Sequence, residues 1–294
     1  LLAVGLTIWL TLFAYRHVEY SDDLWWRFAY RGDAPRSLRA LVGVIVTLVL
    51  VATFQLLRPR RSKPPLPSEA ELTEVATIVD ASQMSNANLA LLGDKRFIFS
   101  ADRRAFVMFG CEGQSWITMG DPIGPRDSAD EAAWQFREEC DAAGVYPVFY
   151  QVDENALSRY IEMGLSMLKI GECARVPLTS FTLVGSSRKD LRRTTKKSAE
   201  VGLSFKIVPR SDVPALLPTL KRISDAWLQG KGVGEKGFSL GFFNESYLRR
   251  YDMALVVLKG EPIAFANLWK SADRHELSID LMRYLPDAPP SAME

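Results

Sequence analysis

The 294-residue chain has little of what most metal and disulfide sites are made from. Its only histidines are His17 and His275, which argues against a zinc site built on imidazoles. Its three cysteines, Cys111, Cys140 and Cys173, form no CxxC and no even set, which argues against a disulfide framework. They read as reduced, mostly buried thiols. Nothing in the sequence brings Cys173 and His275 together as a nucleophile and its base. Net charge is also lacking: a formal +1 excludes a polyanion binder that works through its overall field. Any grip on phosphate has to be local.

One stretch is locally charged. "SRKDLRRTTKKSAEVG", residues 187–202, places six basic side chains in the ten positions from 188 to 197. On a helix, Arg188, Arg192 and Lys196 repeat every four residues, as do Lys189, Arg193 and Lys197, so all six share one broad stripe. Ser187 and Asp190 have the spacing of a capping box, which would start the helix there. Arg188 and Lys189 would then sit at the positive end of the helix dipole, where cations are disfavoured. An anion site, for RNA phosphate or a phospholipid headgroup, explains that placement; a merely solvated face is the plainer alternative.

Two apolar runs precede the soluble-looking part. "LLAVGLTIWLTLFAY" is short of the ~20 residues a membrane span needs, whereas "LVGVIVTLVLVATFQLL", Leu41–Leu57, reaches that length with its neighbours. A buried core helix is the alternative for the second run. "RPRRSKPPLP" follows, a basic anchor and stiff linker that favours a cytoplasmic exit, although Arg16, Arg27, Arg31, Arg36 and Arg39 lie between the two runs.

The expected organisation is therefore two transmembrane segments in 1–57, a basic, proline-rich linker in 58–68, and two similar halves, 69–184 and 185–294. In the first, Leu72, Val75, Ala76 and Val79 mark an amphipathic helix. "RFIFS", "AFVMFG" and "QSWITMG" make an antiparallel meander, and a helix over 129–143 ended by Gly144 leads to the strand "YPVFYQV". The second half repeats this order with a helix from about Ser187, "LSFKIVP", a helix through Leu216, Leu217, Leu220, Ser224 and Trp227, a "MALVVL"–"PIAFANLW" hairpin and "ELSIDLMRY". Meander, helix and strand given twice predict a duplicated α+β fold whose second copy stops short of its closing elements.

Three motifs could carry chemistry. In "HELSIDLMRY", strand alternation puts Glu276, Ser278, Asp280 and Met282 on one face and Leu277, Ile279 and Leu281 on the other. Asp280 is then either salt-bridged, to Arg283 or Arg250, or a working group in a cleft. "EKGFSLGFF" offers Lys236 and Ser239 at a pocket edge, or a turn that packs its phenylalanines. "QGKGVG" matches a CoA-cradling pattern but follows a helix, so it reads as a flexible loop.

Taken together, "SNANLALLGDKRFIFS", "SWITMGDPIGP", "PVFYQV", "KIGECARVPL", "EKGFSLGFF", "FANLW" and "SIDLMRY" resemble the C-terminal region of bacterial phosphatidylglycerol lysyltransferases. The resemblance implies tandem acetyltransferase-like halves on the cytoplasmic side of the bacterial inner membrane, after a multi-pass flippase. It implies transfer of lysine, or in some members alanine, from aminoacyl-tRNA to a glycerol hydroxyl of phosphatidylglycerol, which lowers membrane negative charge and gives resistance to cationic antimicrobial peptides. No cofactor or metal is implied, and homo-oligomerisation is left open. Asp280 matches the family's "DLMRY" aspartate as base or as anchor for the aminoacyl ammonium. Arg283 is the matching oxyanion or phosphate ligand, with Lys236, Ser239 and Glu276 as pocket candidates. The family usually continues past "DAP" with an Asn-Gly turn, a helix and a strand; here "DAPPSAME" ends the chain. Transfer to a peptidoglycan stem peptide, and a non-catalytic membrane-tethered RNA-binding module, are the alternatives.

Overall fold

The computed structural model describes Trp9 and residues 36–57, 63–232 and 234–293, in two compact units that divide at Ser62 and Lys63. The first unit contains helix α1, Arg36–Leu57, with side chains described from Gly43 to Leu56. Val49, Leu50 and Phe54 on it are exposed. Among the described residues no helix is long and apolar enough to cross a membrane. The other expected span lies, apart from Trp9, outside the described residues.

The second unit opens with α2, Glu69–Asp80, started by a capping box in which Ser68 and Glu71 satisfy each other's backbone N–H groups. Val75 and Val79 turn inward, and a buried 3-10 helix, Ser85–Leu92, follows. Strands β1 (Arg96–Phe99), β2 (Phe106–Glu112) and β3 (Ser115–Met119) form the expected antiparallel meander. Helix α3, Arg126–Ala143, is closed by Gly144 at φ +62°, a left-handed cap that suits glycine. Its Ala129, Ala132, Phe136 and Cys140 pack on Val107, Phe109 and Trp116, with Phe109 and Trp116 stacked at 5.0 Å. Strand β4, Tyr146–Tyr150, returns parallel to β3, the geometry a helical crossover permits. A short helix, α4, spans Leu157–Glu162.

The second sheet runs β5 (Leu203–Val208), β6 (Asp252–Leu258), β7 (Glu261–Lys270) and β8 (Leu277–Tyr284), antiparallel throughout. Helices α5 (Lys189–Val201), α6 (Val213–Lys231) and the single turn α7 (Glu245–Leu248) accompany it. Lys259 and Gly260, both at positive φ, make the tight β6–β7 turn. Along β6, Met253, Leu255 and Val257 are buried, and they share a cluster with Leu217, Leu220 and Ile223 of α6. The same cluster takes in Val75, Leu89, Phe106 and Met108, so both sheets contribute to one core.

The repeat is narrower than the sequence led us to expect. Helix plus meander recurs, but the fourth strand of the first sheet follows its helix and is parallel, whereas β5 precedes α6 and is antiparallel.

Candidate functional site

Strand β8 does not alternate as expected. Ala266 pairs with Met282, but Leu268, two residues along β7, pairs with Ile279, three residues back along β8. The extra residue is a bulge, which sends Ile279 and Met282 to the same face. Asn267 fills the gap in the ladder: its Oδ1 accepts the Leu281 N–H at 2.8 Å. Asp280 lies in this bulge, re-aimed by it.

Asp280 is not salt-bridged to Arg283 or Arg250. Its Oδ1 accepts the Gly241 N–H at 2.7 Å, and its Oδ2 accepts the Tyr247 hydroxyl at 3.0 Å. Trp269 Nε1 donates to the same hydroxyl at 2.9 Å, which fixes its direction. Burial pushes the Asp280 carboxyl above the ordinary carboxylate value, against the pull of those bonds and of Lys95. Arg283, 5% exposed, instead pairs with Glu235 at 2.6 Å and stacks on Trp227 at 4.2 Å.

"EKGFSLGFF" becomes a strap, residues 235–243, held by three acids. Glu235 accepts the Phe243 N–H, Asp94 the Phe238 N–H and Asp280 the Gly241 N–H. Phe238 adopts φ +69°, uncommon for a bulky residue, and its ring lies 6.2 Å from Tyr150 of the first sheet. Asp94 is held in turn by Lys95 at 2.7 Å. Lys95 is fully buried, so its pKa is depressed by desolvation, partly offset by Asp94 and Asp280. Sequence reasoning missed Lys95, Tyr247 and Asn267; the adjacent Asp94–Lys95 pair was the available signal for the first. Of the pocket candidates, Lys236 is exposed and Ser239 half-buried on the strap. Glu276 is exposed before β8, bonded to Ser85 Oγ at 2.9 Å.

Five of the six basic residues fall on one helix, α5, Arg188 is the residue that precedes it, and all six are exposed. The expected capping box is absent. Ser187 lies inside a 3-10 turn, Ser186–Arg188, and Arg188 occupies the cap position without a side-chain capping bond. Ser187 is therefore one residue too early to reach the free N–H groups. Arg192 donates to the carbonyls of Leu183 and Gly185, and Arg188 lies over the Phe181 ring. Lys196 reaches Glu200 at 4.0 Å. Lys189, Arg193 and Lys197 make no ion pair among the described residues.

A cleft of about 930 Å³ lies wholly in the first half, lined by Ile78, Met84, Arg103, Arg104, Arg126 and Arg159 among others. Two of its arginines are neutralised, Arg103 by Glu74 and Arg159 by Asp130 and Asp121. It brings no sequence-predicted site residue with it. Against the expected loop, Gln229–Lys231 of "QGKGVG" are the last residues of α6 and Gly232 is its left-handed cap, so the stretch ends a helix and does not open one with the free N–H groups a pyrophosphate needs. Cys140 is buried, its thiol pushed up to about 12; Cys173, against expectation, is exposed.

A family model described as phosphatidylglycerol lysyltransferase, C-terminal, matches residues 76–294. The phosphatidylglycerol lysyltransferase of Bacillus subtilis (strain 168) is 36% identical over 259 residues, covering 86% of this chain and 30% of that protein. That of Staphylococcus aureus (strain MRSA252) is 33% identical over 202 residues, covering 68% of this chain and 24% of that protein. The chain thus spans less than a third of these relatives. The crystal structure of the C-terminal domain of a putative lysylphosphatidylglycerol synthetase from Agrobacterium fabrum superposes with a TM-score of 0.74 at 38% identity, covering 77% of this chain and 72% of that one. The L-PGS structure from Bacillus licheniformis gives 0.71 at 33% identity, covering 79% and 73%.

Proposed function

The chain belongs to the phosphatidylglycerol lysyltransferase C-terminal family, and from that premise we propose that it carries the aminoacyl-transfer step of a lipid-modifying enzyme. The donor is an aminoacyl-tRNA, with lysine as the acyl group and alanine as the variant; the acceptor is a glycerol hydroxyl of phosphatidylglycerol. The two sheets, each with helix and meander, are acetyltransferase-like halves attached to the cytoplasmic face of the bacterial inner membrane.

The observation that carries this reading is Asp280 itself, a half-buried carboxylate held by Gly241 and Tyr247, its pKa raised by desolvation, three residues before the buried Arg283 on the same strand. An aminoacyl ester is already activated, so exchanging one ester for another requires only a base, an oxyanion ligand and positioning. The glycerol oxygen attacks the acyl carbonyl and its proton passes to Asp280. Arg283 stabilises the tetrahedral oxyanion. The bond to the ribose oxygen then breaks, and Asp280 returns the proton to that oxygen.

Helix α5 takes the lipid surface in this scheme. Beside its cations the segment 165–185 exposes Leu168, Ile170, Val176, Leu178 and Val184. Aliphatic side chains next to cations suit the boundary of an anionic bilayer better than RNA phosphate. The experiment is incubation of the complete protein with labelled lysyl-tRNA and phosphatidylglycerol vesicles, followed by lipid extraction and thin-layer separation. Label in the lipid supports the reading. No label in the lipid, with lysyl-tRNA bound but not consumed, contradicts it.

A further inference from the structure

Helix α6 packs on β7 and β8, and along that seam four buried polar side-chain atoms have no partner among the described residues: Ser224 Oγ, Trp227 Nε1, Asn267 Nδ2 and Arg283 Nη1. Each would cost about 1–3 kcal/mol if left unpaired. They are not scattered. Arg283 lies face to face with Trp227 at 4.2 Å, and Ser224 is one helical turn before Trp227 on the same side of α6. Asn267 holds the bulge that contains Asp280, and its amide lowers the Asp280 pKa without closing a well-formed bond. All four can donate, and three of them (Trp, Asn and Arg) can only donate through the atom concerned. What is missing is an acceptor.

We propose that Trp227 Nε1 and Ser224 Oγ, with the free edge of Arg283, form the binding site for the carbonyl oxygen of the transferred aminoacyl ester. This rests on the aminoacyl-transfer reading above and adds α6 to the residues that serve it. Charge selects a carbonyl over a phosphate. Glu235 already pairs with Arg283 at 2.6 Å, and Asp280 lies on the same strand, so a phosphate dianion would meet two carboxylates. A neutral carbonyl meets only donors, and the charge it acquires when the glycerol oxygen adds is spread over them. Trp227 thus has two tasks, as the platform that orients the guanidinium and as a donor in its own right.

The test separates those tasks. Trp227→Phe keeps an aromatic platform and removes the N–H; Ser224→Ala removes a hydroxyl from a fully buried position. Lysine ethyl ester is titrated into the intact protein and both variants by calorimetry, with melting temperature as the fold control. Each variant is expected to bind the ester about tenfold more weakly, the size of one net hydrogen bond. In the lipid assay each lowers kcat and leaves the KM for phosphatidylglycerol unchanged. Should Trp227→Phe fail to fold, Ser224→Ala decides. Equal ester binding by all three proteins overturns the inference, as does no binding by the wild type or competition by inorganic phosphate as effective as the ester. Ester binding weakened by the variants, together with no lipid product from the wild type, supports the site and contradicts the proposed reaction.

Discussion

A β-carbon built on Gly241 would lie 2.0 Å from Asp280 Oδ2, while the Gly241 N–H donates to Oδ1 of the same carboxylate at 2.7 Å. Only glycine lets the strap approach this closely. Gly241→Ala must push the strap or the carboxylate aside, and the expected result is a loss of about 2 kcal/mol in stability, within the range for strain at a packed position, with transfer falling further than stability. Thermal melts and lipid labelling of the same preparations check it.

Asp280→Asn is expected to cut lipid aminoacylation by orders of magnitude with the fold intact. Burial raises the Asp280 pKa above the ordinary 3.8, and a base works only when deprotonated. Wild-type activity therefore falls as pH drops through that raised value. The residual activity of the asparagine variant loses this acid limb. Stability follows the same proton with the opposite preference. Because the folded pKa is raised, its contribution is full below 3.8 and is lost as pH rises through the folded value, and Asp280→Asn removes that slope.

Lys95→Met keeps volume and removes the buried partner of Asp94. Asp94, 22% exposed, is left without its cation, and the expected cost is about 1–3 kcal/mol, that of one unmet polar group. Since Asp94 holds the Phe238 N–H, hydrogen exchange at Phe238 and Gly241 is expected to quicken more than at β2. Uniform acceleration would mean that Lys95 supports the core and not the strap.

On α5, Lys189, Arg193 and Lys197 are the cations to reverse, since Arg192 is tied to its own loop. The triple glutamate variant is expected to lose co-sedimentation with phosphatidylglycerol vesicles at low salt and to bind lysyl-tRNA as before. Loss of tRNA binding with vesicle binding retained would assign the helix to RNA.

Much of this fold was legible because its signals are local. The meander, the Gly144 cap and the β6–β7 turn follow from residues a few positions apart, and so did the Ser68–Glu71 box, which went unread. The site was legible only as a list of parts. Asp280 stood out as an acid in an apolar strand, but its partners Gly241 and Tyr247 lie 39 and 33 residues away, and Asp94 meets Phe238 across 144. No periodicity encodes such pairings. The bulge at Asn267 hid for a related reason: alternation assumes a regular ladder, and a single extra residue changes which face a side chain takes.

The central claim is that Asp280 serves aminoacyl transfer to a lipid. The most direct measurement is mass spectrometry of lipids from cells expressing the complete protein or its Asp280→Asn variant at equal abundance. The account predicts lysyl- or alanyl-phosphatidylglycerol with the wild type and neither with the variant. Equal amounts of aminoacylated lipid in both would contradict it.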